Sequence, residues 1–180
     1  MSGTIEEHSS AQIAHVLFVD IVGYSQESTP NQSRLVGELN RHVEASPTYQ
    51  AVRAKSGLLA LPTGDGLALI FFHDVEGPAR VASEIAAPLQ QAGVPIRMGI
   101  HSGLVQKQTD IAGRDNYAGE GLNTAQRVMD LADPGHILMT SQHANWLRQF
   151  DHWSASVVEL GEGVAKHGQK IQVCALTSGD

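Results

Sequence analysis

The chain has 180 residues, 42% of them apolar and 17% charged, which suits one globular domain large enough to bury a core. Nineteen acidic side chains against twelve basic ones give a formal net charge of -7, which argues against a nucleic-acid partner, since such surfaces neutralise phosphates with Lys and Arg. One cysteine, Cys174, excludes an intrachain disulfide; the opening MSGTIEEHSSAQIA has no signal-peptide pattern and no apolar run could span a bilayer, so a cytoplasmic protein with no membrane contact is expected.

Residues 1 to 13 read as a flexible N-terminal segment and 14 to 180 as a single α/β domain, without repeats or a linker. Residues 15 to 19, HVLFV, predict a short strand ended by Asp20, and Leu35, Val36, Leu39 and Val43 predict a helix over 33 to 45. Strands at 58 to 62 and 67 to 72 flank TGDG, whose glycines permit the positive φ of a tight hairpin. A helix over about 77 to 92 follows, then the strand PIRMGIHSGLV, a polar loop from 106 to 118, a helix over about 120 to 132 and the strand HILMT after the turn DPG. A helix over 141 to 150 and two strands around KHG, within 157 to 176, complete the chain.

Two acidic residues stand out. Asp65 sits at the tip of the otherwise apolar LALPTGDGLALIFF, and Asp20 closes an apolar strand in LFVDIVGYS. Asp-Gly alone is ordinary turn chemistry. Two carboxylates at strand ends beside glycine turns are also what a pair of hard divalent cations would use, and Mg²⁺ keeps positions for substrate phosphates, which points to phosphoryl or nucleotidyl chemistry. In NYAGEGLNTAQRVMD, Asn123 and Arg127 are four apart and share a helix face, either as a solvated stripe or as an amide and a guanidinium that meet one ligand. None of the nine histidines shows metal-ligand spacing, and no nucleophile triad is evident; His101 in GIHSG reads as structural.

The segments LFVDIVGYS, LPTGDGLALIFF, IRMGIHSGLV, YAGEGLNTAQRVMD, PGHILMT and VAKHG together resemble the class III nucleotidyl cyclase catalytic domain, the fold of adenylyl and guanylyl cyclases, over roughly residues 14 to 176. The resemblance implies a ferredoxin-like βαββαβ α/β sandwich, active as a homodimer with sites shared between chains. It implies that Asp20 and Asp65, with the main chain of Ile21, hold two divalent cations, Mn²⁺ or Mg²⁺. Val22, Gly23, Tyr24 and Ser25 would extend the main-chain cradle for the triphosphate of a nucleoside triphosphate, and Arg97 and Lys166 would contact the same group. Asn123 would orient the ribose and Arg127 would stabilise the transition state. The ribose 3′-oxygen then displaces pyrophosphate from the α-phosphate, with positioning and charge stabilisation doing most of the work.

The departure lies at base recognition. Adenylyl cyclases of this kind place Lys, and guanylyl cyclases Glu, where this chain has Leu61, and the second specificity position, often Asp or Thr, is Asn116. Leucine cannot hydrogen-bond a base edge, and one lost buried donor costs about 1–3 kcal/mol. A stand-alone cyclase with this pattern is similar to the bacterial pyrimidine cyclases of Pycsar anti-phage defence, which make cyclic UMP or cyclic CMP for a separate cyclic-nucleotide-responsive effector. Asn116 offers both a donor and an acceptor to a pyrimidine edge, and Tyr49 is the second candidate for filling the pocket. An adenylate cyclase with an unusual base pocket and a catalytically silent nucleotide-binding module are the alternatives.

Overall fold

The computed structural model describes residues 11–177, and its centre is a strand buried on both faces. β1 (Gln12–Ile21) turns Ala14, Val16 and Phe18 to one side and Leu17, Val19 and Ile21 to the other, the period-two alternation of a strand with helices on each face. α1 (Thr29–Ala45) sets Leu35, Leu39 and Val43 four apart against the second of those faces. α2 (Pro47–Ala54), β2 (Leu58–Pro62), β3 (Gly66–Phe71), α3 (Gly77–Gln91) and β4 (Ile96–Thr109) follow. β1 lies between β3 and β4, antiparallel to both, with β2 outside β3. The order β2-β3-β1-β4 is the expected ferredoxin-like βαββαβ unit.

The remaining elements extend this sheet on the β4 side. β5 (Asp115–Ala118) pairs with the far end of β4, and β6 (Ile137–Thr140), reached through α4 (Glu120–Asp130), runs parallel to β4. α5 (Ser141–Leu147) and α6 (Asp151–Ser154) lead to β7 (Val157–Val164) and β8 (Lys170–Leu176), giving the order β2-β3-β1-β4-β6-β8-β7. α1, α2, α3 and α5 cover the Leu17 face; α4 covers the other, with Leu122, Ala125 and Met129 over β1 and β3 and Val128 over β6 and β8. α4 approaches β4 so closely that a Cβ on Gly99 would lie 2.4 Å from Met129 N and 2.5 Å from Ala125 O. That contact sets the depth at which the side chains of α4 meet those of β4. Among the described residues no helix is long and apolar enough to cross a membrane.

Three expectations change. The proposed N-terminal segment lies outside the described residues as far as residue 10, whereas Gln12 and Ile13 are already rungs of β1, paired with Val105 and Leu104. Pro47, which looks like a helix break, occupies the first turn of α2, where its missing N–H costs nothing, and Ser46 caps that turn by accepting from Tyr49 N at 3.2 Å. The polar loop expected from 106 to 118 is a β4–β5 hairpin, whose turn is closed by Asp110 Oδ1 accepting from Ala112 N at 2.8 Å and Arg114 N at 2.9 Å.

Candidate active site

Asp20 is the last β1 residue before the buried Ile21, and alternation turns it towards α4. The β2–β3 hairpin brings Asp65 to it. Gly64, at the first central position of the turn, has φ +89°, and Thr63 N donates to Gly66 O at 3.1 Å. The role of Gly66 differs from the one expected of it: its Cβ would fall 1.9 Å from Val19 O, so it is there for close approach. With nothing between the backbones, Ile21 N donates to Asp65 O at 2.9 Å, and the carboxyls of Asp20 and Asp65 come within hydrogen-bonding reach. A recess of about 160 Å³ opens here, lined by Asp20, Thr63, Asp65, Arg97, Gln126 and Asp130 among others.

Arg97 lies opposite Asp20 in the strand register and donates to its Oδ2 from Nε at 3.1 Å and from Nη2 at 2.9 Å. This pair does not fully offset the surroundings. Burial, then the neighbouring Asp65, push the Asp20 carboxyl up to about 6. Two neighbouring carboxylates with one guanidinium on Asp20 leave a net negative charge that a divalent cation would relieve, and their hard oxygen donors suit Mg²⁺ or Mn²⁺. Among the described residues no group of three or more His, Cys, Asp or Glu is arranged to hold a metal, so the candidate centre is a two-carboxylate one.

The expected phosphate cradle is narrower than the sequence suggests. Ile21 N donates to Asp65 O at 2.9 Å and Val22 N to Pro95 O at 2.8 Å, which leaves the N–H groups of Gly23, Tyr24 and Ser25, at the start of a short 3-10 turn, as main-chain candidates for a phosphate. Asn123 is exposed on α4, and Arg127 donates from Nη1 to Gln169 Oε1 at 2.6 Å; neither lines the recess of its own chain. Lys166, exposed in the turn between β7 and β8, has its Nζ 3.9 Å from Asp130 Oδ2.

Of the base-recognition candidates, the structure puts Leu61 on the α4 side of the sheet, Asn116 on the β4–β5 hairpin and Tyr49 on the opposite face of the sheet. Leu61 is half-buried in an apolar cluster with Phe18 and Ile70, to which Phe72 and Tyr117 also belong, the last two with ring centroids 5.2 Å apart. Asn116, half-buried on β5, accepts at Oδ1 from Tyr117 N at 2.8 Å, and alternation turns it to the face opposite Tyr117. Tyr49 belongs to the core under α1, α2 and α3, across the sheet from Asp20 of the same chain, where packing accounts for its burial.

No protein-family model matches the chain, and no curated protein matches it. Solved structures do. The adenylyl cyclase CyaB from P. aeruginosa superposes with a TM-score of 0.74 at 17% identity, covering 95% of this chain and 96% of that one. The guanylate cyclase domain of RhGC from Catenaria anguillulae, in complex with GTP, gives 0.74 at 19% identity over 95% and 100%. An adenylate/guanylate cyclase/hydrolase from Silicibacter pomeroyi gives 0.70 at 23% identity over 94% and 99%. The chain has the fold of adenylyl and guanylyl cyclase catalytic domains.

Within this cyclase fold, His15, His101 and His143 tie elements together by side-chain hydrogen bonds. His101 is hydrogen-bonded through Nδ1 to Thr140 Oγ1 at 2.8 Å and through Nε2 to Glu120 Oε1 at 2.7 Å, tying the first turn of α4 to the end of β6. His15 and His143 both bond Ser102 Oγ at 2.7 Å, and burial pushes His143 down to about 3. A larger cavity of about 880 Å³, beside α3, takes in Ile96 and Met98 but no Asp, Glu, Lys or Arg, and alternation points Arg97 away from it. The chemistry therefore stays at the smaller recess. Sequence reasoning missed Thr63, Gln126 and Asp130 there; the only available signal was that Gln126 and Asp130, four apart, share a stripe on the helix already singled out.

Proposed function

We propose that the chain is a nucleotidyl cyclase that converts a pyrimidine nucleoside triphosphate, UTP to cyclic UMP or CTP to cyclic CMP, with release of pyrophosphate. It works as a homodimer and makes a second messenger for anti-phage defence, read by a separate effector. The observation that carries the reaction is the face-to-face pair Asp20 and Asp65 beside Arg97, on a fold shared with cyclases. Asp20 and Asp65 hold two divalent cations, which supply charge neutralisation at the phosphates and a lowered pKa for the ribose hydroxyl. In that step the 3′-oxygen forms a bond to the α-phosphorus, the bond from phosphorus to the pyrophosphate oxygen breaks so that pyrophosphate leaves, and the hydroxyl proton passes to solvent water. Arg97 and Lys166 offset triphosphate charge. Asn123 of one chain orients the ribose and Arg127 meets the charge that builds on the phosphate oxygens at the site formed with the Asp20 and Asp65 of the other.

The apolar setting of Leu61 supports a substrate other than the usual purines, because a purine edge would find no donor or acceptor there, and we assign that substrate as a pyrimidine. A purine substrate has the support of structural neighbours named as an adenylyl cyclase and as a guanylate cyclase with GTP. Purified protein incubated separately with ATP, GTP, CTP and UTP, with Mn²⁺ and product identification by mass spectrometry, decides. Cyclic UMP or cyclic CMP as the dominant product is expected. Dominant cyclic AMP would overturn the base assignment and keep the cyclase; no product from any of the four would overturn both.

The raised pKa of Asp20 adds a pH dependence. The same carboxyl titrates near 3.8 when unperturbed, so the folded chain takes up its proton first, and stability of the metal-free protein rises as the pH falls from about 7 through about 6. Metal and proton compete for that carboxylate. Mn²⁺ affinity is therefore expected to be flat above about pH 7 and to fall by up to about tenfold per pH unit below about 6. Titration calorimetry in buffers of different ionisation enthalpy checks this, with proton release on Mn²⁺ binding at the acidic pH and none at the alkaline one.

A further inference from the structure

Arg97 has two carboxylate partners. Besides its bonds to Asp20, Nη2 lies 3.3 Å from Asp130 Oδ1 and Nη1 lies 3.4 Å from the Asp130 carbonyl oxygen. Asp130 is the last residue of α4, where the helix dipole disfavours negative charge, so helix chemistry does not explain an acid there. Its setting does: the guanidinium of Arg97 on one side and, at 3.9 Å, the ammonium of Lys166 on the other. The register alone would place Arg97 on Asp20, since the two residues are directly opposed in β1 and β4. A guanidinium and a divalent cation compete for the same carboxylate lone pairs. Whatever draws Arg97 off Asp20 therefore favours the metal, and whatever keeps it in the recess keeps a phosphate ligand in place.

We propose that Asp130 is a positioning residue that holds Arg97 between Asp20 and itself, so that Asp20 can take a metal ion while Arg97 stays in the recess. The inference rests on the two-carboxylate metal reading given above. Of the three side chains, Asp20 is the most buried, and all are far enough from bulk water for the partition of one guanidinium between two acids to matter. Gly99 fixes the partition geometrically, because the backbone contact between α4 and β4 sets how far Asp130 stands from Arg97.

The test measures Mn²⁺ binding to the nucleotide-free protein by calorimetry or electron paramagnetic resonance. Asp130→Asn, isosteric and at a helix end, is expected to weaken Mn²⁺ binding about tenfold, the lower end of what a lost ligand-orienting partner costs. Arg97→Gln alone should tighten it. In the Arg97→Gln background, Asp130→Asn should change the affinity less than about twofold, because the effect passes through the arginine. An equal loss in both backgrounds would show a general charge effect and overturn the proposal, as would unchanged affinity for Asp130→Asn in the native background. Failure of the native chain to bind Mn²⁺, or binding untouched by Asp65→Asn, would overturn the metal reading itself and this inference with it.

Discussion

Asp65→Ala is expected to abolish cyclisation, lowering kcat with Mn²⁺ at least about a thousandfold, and to leave the fold intact. The rate loss follows from the several kcal/mol that metal-borne charge stabilisation contributes, at 1.36 kcal/mol per tenfold. The fold should survive because the interactions that build the hairpin tip are main-chain ones: Thr63 N to Gly66 O at 3.1 Å and Ile21 N to Asp65 O at 2.9 Å do not use the carboxylate. Removing it also relieves Asp20, whose carboxyl is held high partly by Asp65, so the melting temperature at pH 8 should stay level or rise by a few degrees. Turnover by mass spectrometry and a thermal melt on the same preparation give both numbers. Full activity in this variant would remove the two-metal reading.

The parts of this molecule that were legible in the sequence are those where burial leaves a period. Ala14, Val16 and Phe18 against Leu17, Val19 and Ile21 mark a two-faced central strand, and Leu35, Leu39 and Val43 mark a helix. The β4–β5 hairpin left no such mark, since QKQT and DNYA are mostly polar and at most half-buried. α2 was hidden because Pro is a break inside a helix and a good start at its first turn, a choice that Ser46 settles only through its side-chain bond to Tyr49 N. On this helix Tyr49 turns into the core. Asp20 and Asp65 were legible since each ends an apolar run at a glycine turn. Asp130 was not, because its meaning comes from Arg97, thirty-three residues away in the chain and brought near by the α4–β4 contact at Gly99.

The position of Asn123 and Arg127 leads to the second large effect. Both stand on a part of α4 outside the recess that holds Asp20 and Asp65, and Arg127 is occupied with Gln169. For one chain to supply the whole site, Arg127 would have to leave Gln169 and α4 to shift over the sheet, and the backbone contact of Gly99 with Ala125 and Met129 holds the helix in place. A second copy, related by a two-fold axis, can present its Asn123 and Arg127 to the first copy's carboxylates with no such movement. Asp20→Ala and Arg127→Ala chains should therefore each be inactive alone and recover activity when refolded or co-expressed together. With random pairing half of the dimers are mixed and each carries one intact site of two, so recovery should approach about a quarter of native turnover. Activity that stays at the level of the separate variants, in a mixture shown by native mass spectrometry to contain the mixed dimer, would sink the shared site and return the Asn123 and Arg127 pair to an ordinary solvated face.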